Sequence, residues 1–202
     1  MAVLLGVGLV LVVCAYIYGR SCRPDELPDD ISHIGVRKVH EVLELVGKSD
    51  FGRSPRGAAL AAAAVELMDQ GRVRFSPNLD QEALYRKEFG RRPVLYISVF
   101  FHNGRVLWPQ PEELAERIYH ESLHSIAQSK HKSKEEECDA FCAAEEAAAA
   151  VGQRSPRYPV MRDGKTVFKW VQEVYSRYPS DRAYVPVGCT SEELADRTGI
   201  SY

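Results

Sequence analysis

Residues 111–151 read PEELAERIYHESLHSIAQSKHKSKEEECDAFCAAEEAAAAV, and this stretch stands out in the chain. Its first part predicts a helix over 111–128, because Pro111 suits the first turn and the two glutamates after it suit the positive end of the helix dipole. Ser133 predicts the start of a second helix, which runs to about Val151. Because the connection between them is short, the two helices are expected to form an antiparallel hairpin.

The first predicted helix carries the pattern His-Glu-x-x-His at His120, Glu121 and His124. Two histidines four residues apart lie one turn apart on the same helix face, so both imidazoles can reach one metal ion. Imidazole nitrogens suit Zn²⁺, and a glutamate beside that face can take a proton from a metal-activated water. The ordinary alternative is a pair of histidines on a helix that binds no metal.

Apolar residues fill one continuous half of this helix, whereas the two histidines fall side by side outside that half. This pattern indicates that one helix face packs against the core while the adjoining face lines a cleft. The apolar half consists of Leu114, Ala115, Ile118, Tyr119, Leu123 and Ile126.

A third metal ligand is expected from the glutamates at the start of the second helix. Glu137 lies within the apolar stripe of that helix and comes level with His124 in the hairpin, and a buried carboxylate is costly unless something pairs it. Glu136 has capping-box spacing from Ser133 and is expected to accept a hydrogen bond from the backbone. Glu135 points away from the stripe. The residues favour Glu137 and leave Glu135 and Glu136 as alternatives, while a solvated glutamate in an acidic first turn is the other interpretation of Glu137.

The pattern His120-Glu121-x-x-His124, followed by a helix with a glutamate, resembles the zincin metallopeptidases of the gluzincin type. The matching stretch covers residues 117–146. The resemblance implies that the two histidines and a downstream glutamate bind zinc and that Glu121 is the general base of peptide-bond hydrolysis. The substrate would then be a protein or a peptide.

Some members of that group carry the third ligand as the first residue of E-x-x-x-D. In this chain that pattern would select Glu135, with Asp139 as a partner of one histidine. The number of residues between His124 and the glutamates is small compared with those members. Glu137 is therefore favoured, because its side chain comes level with His124 in the hairpin.

The best predicted strand spans residues 94–101 (VLYISVFF), because the stretch is rich in β-branched and aromatic side chains. Asn103-Gly104 then predicts a tight hairpin turn, with a return strand over 106–108. The resemblance implies an edge strand above the active helix that holds an extended substrate by backbone pairing. The stretch 94–101 is placed to be that strand, and a plain core strand fits its composition equally well.

Together these elements predict an α+β, zincin-like domain in which a short antiparallel sheet packs on the His-Glu-x-x-His helix and on the antiparallel helix after it. An N-terminal transmembrane helix precedes the domain. The predicted organisation is an anchor or uncleaved signal over 1–19, a polar linker over 20–35 and a metallopeptidase-like domain over 36–202. Further helices are expected at 36–46, 57–70, 165–178 and 190–197.

Residues 2–18 (AVLLGVGLVLVVCAYIY) contain no charge, and as a helix they would be roughly 25 Å long. Arg20 and Arg23 follow at once, and the positive-inside bias predicts a single-pass anchor with the domain in the cytoplasm. The alternative is a cleaved signal peptide, which would make the domain secreted or periplasmic.

The composition excludes several classes of protein. Hydrophobic residues are 45% and charged residues 27% of the 202 residues, which is typical of a folded domain. The 26 basic and 28 acidic residues give a net charge of -2, so binding of nucleic acid by phosphate neutralisation is not expected. Five scattered cysteines without a C-x-x-C pair argue against a disulfide scaffold or a zinc ribbon. Cys138 and Cys142, one helical turn apart, are interpreted as small buried residues.

The sequence is therefore compatible with three functions. The first is a zinc-dependent peptide hydrolase, with Tyr158, Tyr175 or Tyr184 available to stabilise a developing oxyanion. The second is a catalytically silent zinc-binding module for regulation or interaction, anchored to a membrane. The third is a helical interaction domain without metal.

Overall fold

Three helices come first in the computed structural model, which describes residues 25–86, 92–127 and 132–200. They are α1 (Asp29–Gly47), α2 (Asp50–Arg53) and α3 (Pro55–Asp69). Ser49 and Ser54 cap α2 and α3, because each side chain accepts a hydrogen bond from a backbone N–H three residues later. The linker predicted over 20–35 ends earlier than expected, since α1 already begins at Asp29 and Leu27 is buried in the core.

A mixed three-stranded sheet follows, formed by β1 (Val73–Ser76), β2 (Ala83–Arg86) and β3 (Val94–Ser98). The strand order is β1-β3-β2, in which β3 runs parallel to β1 and antiparallel to β2. The expectation of an edge strand at 94–101 is therefore wrong. Leu95, Tyr96 and Ile97 are all buried, as the two covered faces of a central strand require. The strand beside the His-Glu-x-x-His helix is β2, which was not predicted.

A two-stranded hairpin continues the chain after Val99. It pairs β4 (Phe100–His102) with β5 (Arg105–Leu107) in antiparallel register. Asn103 and Gly104 have φ angles of 51° and 73°, which the predicted tight turn requires. The hairpin prediction is confirmed, although the strand predicted over 94–101 is divided between β3 and β4.

The predicted helical hairpin consists of α4 (Pro111–Ile126) and α5 (Lys134–Val151). The two helices are antiparallel: His120 of α4 contacts Phe141 of α5, and Gly152 after α5 lies against Glu112 at the start of α4. Ser133 caps α5 as expected. Alanines of α5 in the interface are fully buried, which allows the two helices to approach closely.

The last elements are β6 (Met161–Arg162), β7 (Lys165–Thr166), α6 (Val167–Val174) and α7 (Ser191–Thr198). They pack on the side of α5 that faces away from the sheet and form a second hydrophobic core with Cys138, Cys142, Val160, Val167, Val171, Tyr184, Leu194 and Ile200. The larger core lies between α1, α3, the sheet, α4 and the other side of α5. Because α5 lies between the two cores, its polar residues are buried around most of its circumference.

The structure confirms a mixed α+β architecture and corrects the sheet, because β1 and β3 are parallel. Within the three described ranges, every helix is too short or too polar to cross a lipid bilayer. The anchor predicted over 1–19 lies outside these ranges and stays a prediction.

Candidate metal centre

Two imidazoles and one carboxylate converge between α4 and α5. The Nε2 atoms of His120 and His124 are 3.2 Å apart. Glu137 projects from α5 toward both rings, with Oε2 3.5 Å from His120 Nε2 and Oε1 3.5 Å from His124 Nε2. All three ligand atoms lie within 4.8 Å of one another. The structure thus brings together the three residues that the sequence favoured as metal ligands.

The arrangement fits a zinc ion in donor type and in spacing. Zinc bonds of about 2.0–2.1 Å to four tetrahedral ligands imply a ligand–ligand separation of about 3.3 Å. The two Nε2 atoms, 3.2 Å apart, are close to that value, and each imidazole has one oxygen of Glu137 at 3.5 Å. Glu137 is only 1% exposed, and its Oε2 is a buried oxygen without a hydrogen-bond partner. A carboxylate in that state is stabilised by a cation.

Opposite charges already shift the titration of these groups. Burial disfavours the imidazolium of His124, but the carboxylates of Glu136 and Glu137 outweigh burial and raise the pKa of His124 to about 9. Burial likewise opposes the charge of Glu137, whose pKa is nevertheless lowered by His120 and His124. Lys132 Nζ lies 3.6 Å from Glu137 Oε1 and adds positive charge. A metal ion that binds here must displace a proton from His124.

Glu136 is the residue whose role the sequence analysis missed. It was assigned to the backbone at the helix start, whereas its Oε1 lies 2.7 Å from Nδ1 of His124. With Nδ1–H donating to this carboxylate, the lone pair of His124 is on Nε2, the atom that faces His120. The signal was present: Glu136 and Glu137 are neighbours on a helix turn that lies level with His124.

Glu135 lies on the other side of α5 and is not near the histidines. Its carboxylate accepts a hydrogen bond from the Ser180 hydroxyl and one of 2.7 Å from the Asp181 backbone N–H. Asp139, which the E-x-x-x-D pattern would make the partner of a histidine, instead pairs with Arg56 at 2.7 Å. Helix periodicity explains both departures, because these positions face away from α4.

Glu121 lies beside the ligand cluster, and the edge strand fixes its carboxylate. Its Oε2 accepts a hydrogen bond of 2.9 Å from the backbone N–H of Tyr85 in β2. The side chain is almost fully buried, yet it borders the same cavity as His120 and Glu137. This contact could not be predicted from the sequence, because β2 itself was not recognised.

A cavity of about 360 Å³ opens at the ligand cluster, where the two hydrophobic cores meet. Residues 81–84, at the start of β2, form one wall. An aromatic wall faces the same space. It consists of Phe141, Trp170, Tyr175 and Tyr178.

Only one of the three tyrosines named from the sequence reaches this cavity. The hydroxyls of Tyr158 and Tyr184 donate to Glu146 and Asp139, at 2.8 and 2.9 Å, away from the histidines. Tyr175 lines the cavity, and burial together with the negative charge of Glu137 raises its pKa. Of the three tyrosines named from the sequence, Tyr175 is therefore the one whose position allows the predicted oxyanion role.

Cys138 and Cys142 are free thiols, both fully buried in the second core. Burial raises the pKa of each thiol, which keeps the sulfur protonated. Their position agrees with the interpretation as small core residues.

No protein-family model, no curated protein and no solved structure matches this chain. The geometry of the site is therefore the basis of the proposed function.

Proposed function

We propose that the protein is a zinc-dependent peptide-bond hydrolase, related in its chemistry to the gluzincin metallopeptidases. His120, His124 and Glu137 would hold Zn²⁺, and Glu121 would act as general base. The observation that carries this proposal is the convergence of two Nε2 atoms and a buried carboxylate, one oxygen of which has no hydrogen-bond partner, at one cavity that Glu121 also borders.

A bound zinc ion would supply Lewis-acid chemistry, polarising a peptide carbonyl and making water acidic enough to attack near neutral pH. The residues of the chain would do the rest. Glu136 holds the His124 ring through Nδ1, and the Tyr85 N–H holds one oxygen of Glu121. The other oxygen of Glu121 would take a proton from the attacking water and return it to the leaving amine.

The strand β2 would bind the substrate backbone. Tyr85 N–H points toward α4, and residues two apart in a strand present their backbone groups to the same side, so Ala83 also faces the cavity. An extended protein or peptide substrate would pair with this edge and pass His120. The role expected for residues 94–101 thereby moves to β2.

We also propose that residues 1–19 anchor the protein to a membrane as a single-pass segment with the hydrolase domain in the cytoplasm. Support for this comes from the uncharged run 2–18 and the arginines that follow it. A cleaved signal peptide, giving a secreted or periplasmic domain, is the alternative.

One observation favours a second candidate, a catalytically silent zinc-binding module. The bond from Tyr85 N–H gives Glu121 a structural role that does not require chemistry. In that case Glu121 would be retained to join α4 to β2.

Replacement of Glu121 by glutamine separates the two candidates, because glutamine keeps the size of the side chain but cannot act as a base. We expect the full chain to cleave fluorescein-labelled casein in the presence of zinc and to stop when 1,10-phenanthroline removes the metal. Glu121→Gln should lower the rate by about 10²–10⁴-fold while the bound zinc stays at the wild-type level. The exposed Glu41→Gln variant, on α1, is the matched control and should keep the wild-type rate.

Zinc-loaded wild-type protein that leaves casein intact would contradict the hydrolase proposal and favour the silent module. Full activity of Glu121→Gln would refute the assignment of the base.

A further inference from the structure

A chain of aromatic rings extends from the metal centre along one side of the cavity. The centroid of the His120 ring is 4.7 Å from that of Phe141, which lies 5.3 Å from that of Trp170. Trp170 is in turn 5.9 Å from Tyr175, and Tyr175 is 5.1 Å from Tyr178. Four aromatic side chains therefore form one continuous wall that begins at a metal ligand.

These rings differ in the groups that they contact. Phe141 has His120 at one side, Trp170 at another and the Arg162 guanidinium 5.0 Å above its ring. The polar atom of Trp170 is satisfied, because Nε1–H donates to Asp163 at 3.0 Å. All four rings are half-buried and line the cavity, and Trp170 and the two tyrosines are the ones that do not contact a proposed metal ligand.

One side of the aromatic wall packs against the second hydrophobic core, and the other side faces the cavity. Val167 and Val171 of α6 are fully buried in the second core, so the helix that carries Trp170 is firmly packed. The opposite wall is the edge strand, where Ala83 and Leu84 offer no aromatic side chain. A peptide paired with β2 would direct alternate side chains into the space between strand and wall.

We propose that Trp170, Tyr175 and Tyr178 form the pocket that receives an aromatic side chain of the substrate, beside the bond to be cleaved. A flat aromatic side chain buries a large apolar area against tilted rings and gains edge-to-face contacts, and a cavity of about 360 Å³ has room for it. A basic side chain is the competing occupant, because five acidic residues line the cavity against three basic ones, and the proposal commits to the aromatic side chain that the rings favour. The position relative to the cleaved bond rests on the proposed hydrolase function, whereas the preference in binding does not.

The test measures binding without turnover. Zinc-loaded full-length protein carrying Glu121→Gln is titrated into three fluorescein-labelled pentapeptides, Gly-Gly-Phe-Gly-Gly, Gly-Gly-Ala-Gly-Gly and Gly-Gly-Lys-Gly-Gly, and the dissociation constants are obtained by fluorescence anisotropy. We expect the phenylalanine peptide to bind about tenfold tighter than the alanine peptide, as burial of one aromatic side chain implies. Adding Trp170→Ala should reduce that preference to about twofold or less.

Tyr178→Ala provides a second variant at the more exposed end of the wall, and circular dichroism verifies that both variants are folded. Phe100→Ala removes a solvent-exposed aromatic ring outside the cavity and should leave the preference unchanged. Equal binding of the phenylalanine and alanine peptides, tighter binding of the lysine peptide, or no binding of any peptide would overturn the pocket. A preference for the phenylalanine peptide that persists in both Trp170→Ala and Tyr178→Ala, with both variants folded, would also overturn the pocket.

These outcomes are distinct from those of the casein assay. Cleavage of casein without a preference for the phenylalanine peptide refutes the pocket and leaves the hydrolase proposal standing. Selective binding of the phenylalanine peptide by a protein that does not cleave casein refutes the hydrolase proposal and supports the pocket.

Discussion

Two clusters of buried charge lie on opposite faces of α5, and they are built differently. The histidine face contains Glu136 and Glu137 with the two histidines of α4. The arginine face contains Asp139 and Glu146 with Arg56 of α3. Both sets of carboxylates come from one helix and are almost completely buried, so burial alone does not distinguish a structural cluster from a functional site.

On the arginine face, charged atoms are in direct contact. Arg56 lies 2.7 Å from Asp139 and 2.9 Å from Glu146, and Arg197 adds a further contact of 2.9 Å to Glu146. Although burial opposes the charge of Arg56, the two carboxylates outweigh it and raise the pKa of the guanidinium. This cluster joins α3, α5 and the C-terminal segment through direct ion pairs.

On the histidine face, Glu137 is held at 3.5 Å from each imidazole nitrogen, which is longer than a normal hydrogen bond. The cavity opens beside this carboxylate, whereas guanidinium nitrogens contact the carboxylates of the arginine face directly. The two clusters therefore differ in the spacing of their charges and in the adjoining cavity, and this difference supports the proposal of a metal centre on the histidine face.

The largest effect is expected from replacing Glu137 by glutamine. Loss of a charged ligand should weaken zinc binding at least about a thousandfold, beyond the 10–100-fold typical of outer-shell partners. Glu135→Gln, two residues earlier and on the other face of α5, should bind zinc with unchanged affinity. Competition with a chromogenic chelator measures both. Equal zinc affinity of the two variants would show that Glu137 is not a zinc ligand.

Replacement of Arg56 by alanine should act on stability, because it leaves Asp139 and Glu146 buried without their cation. We expect a loss of about 3–5 kcal/mol in the free energy of unfolding, measured in urea without zinc. Arg53→Ala is the matched control: its ion pair with Asp50 is solvent-exposed and should contribute less than about 1 kcal/mol. Similar losses in both variants would show that the arginine face is not a structural cluster.

Glu136→Gln should have an intermediate effect on zinc. The carboxylate orients His124 without facing His120, so its loss should weaken zinc binding about 10–100-fold. Titration of the variant with zinc, beside wild type and Glu137→Gln, checks this order. Wild-type affinity in Glu136→Gln would mean that the bond to Nδ1 does not position the ring.

The smallest effect for a single step is a pH dependence of zinc affinity, at most about tenfold for each pH unit. The pKa of His124 in the metal-free protein is raised to about 9, so its imidazole is protonated at pH 7 and the proton competes with zinc. Apparent affinity should therefore rise with pH, by up to about tenfold per unit, and level off above pH 9. Chelator competition at fixed ionic strength follows it, and an affinity that is flat between pH 7 and 9 would contradict the charged state of His124.

Local periodicity predicted the parts of the site that lie on the helical hairpin. The positions of His120, His124 and Glu137 follow from two helices and a short connection, all within one stretch of sequence. The contacts that were missed join distant segments: Tyr85 reaches Glu121 across 36 residues, and Arg56 reaches Glu146 across 90. No sequence pattern reports such pairings.

The strand assignment failed for a related reason. A run of β-branched and aromatic residues predicts a strand, but it does not say whether that strand is central or at an edge. Ile97 is buried because β3 lies between β1 and β2, whereas the shorter and less apolar β2 lies at one edge of the sheet.

X-ray absorption at the zinc edge of the zinc-loaded full-length protein tests the central claim most directly. We expect one bound zinc with only nitrogen and oxygen neighbours at about 2.0–2.1 Å, including the outer-shell scattering typical of two imidazoles. A shell at about 2.3 Å would indicate sulfur ligands. That result, or protein that retains no zinc after gel filtration, would contradict a metal centre formed by His120, His124 and Glu137.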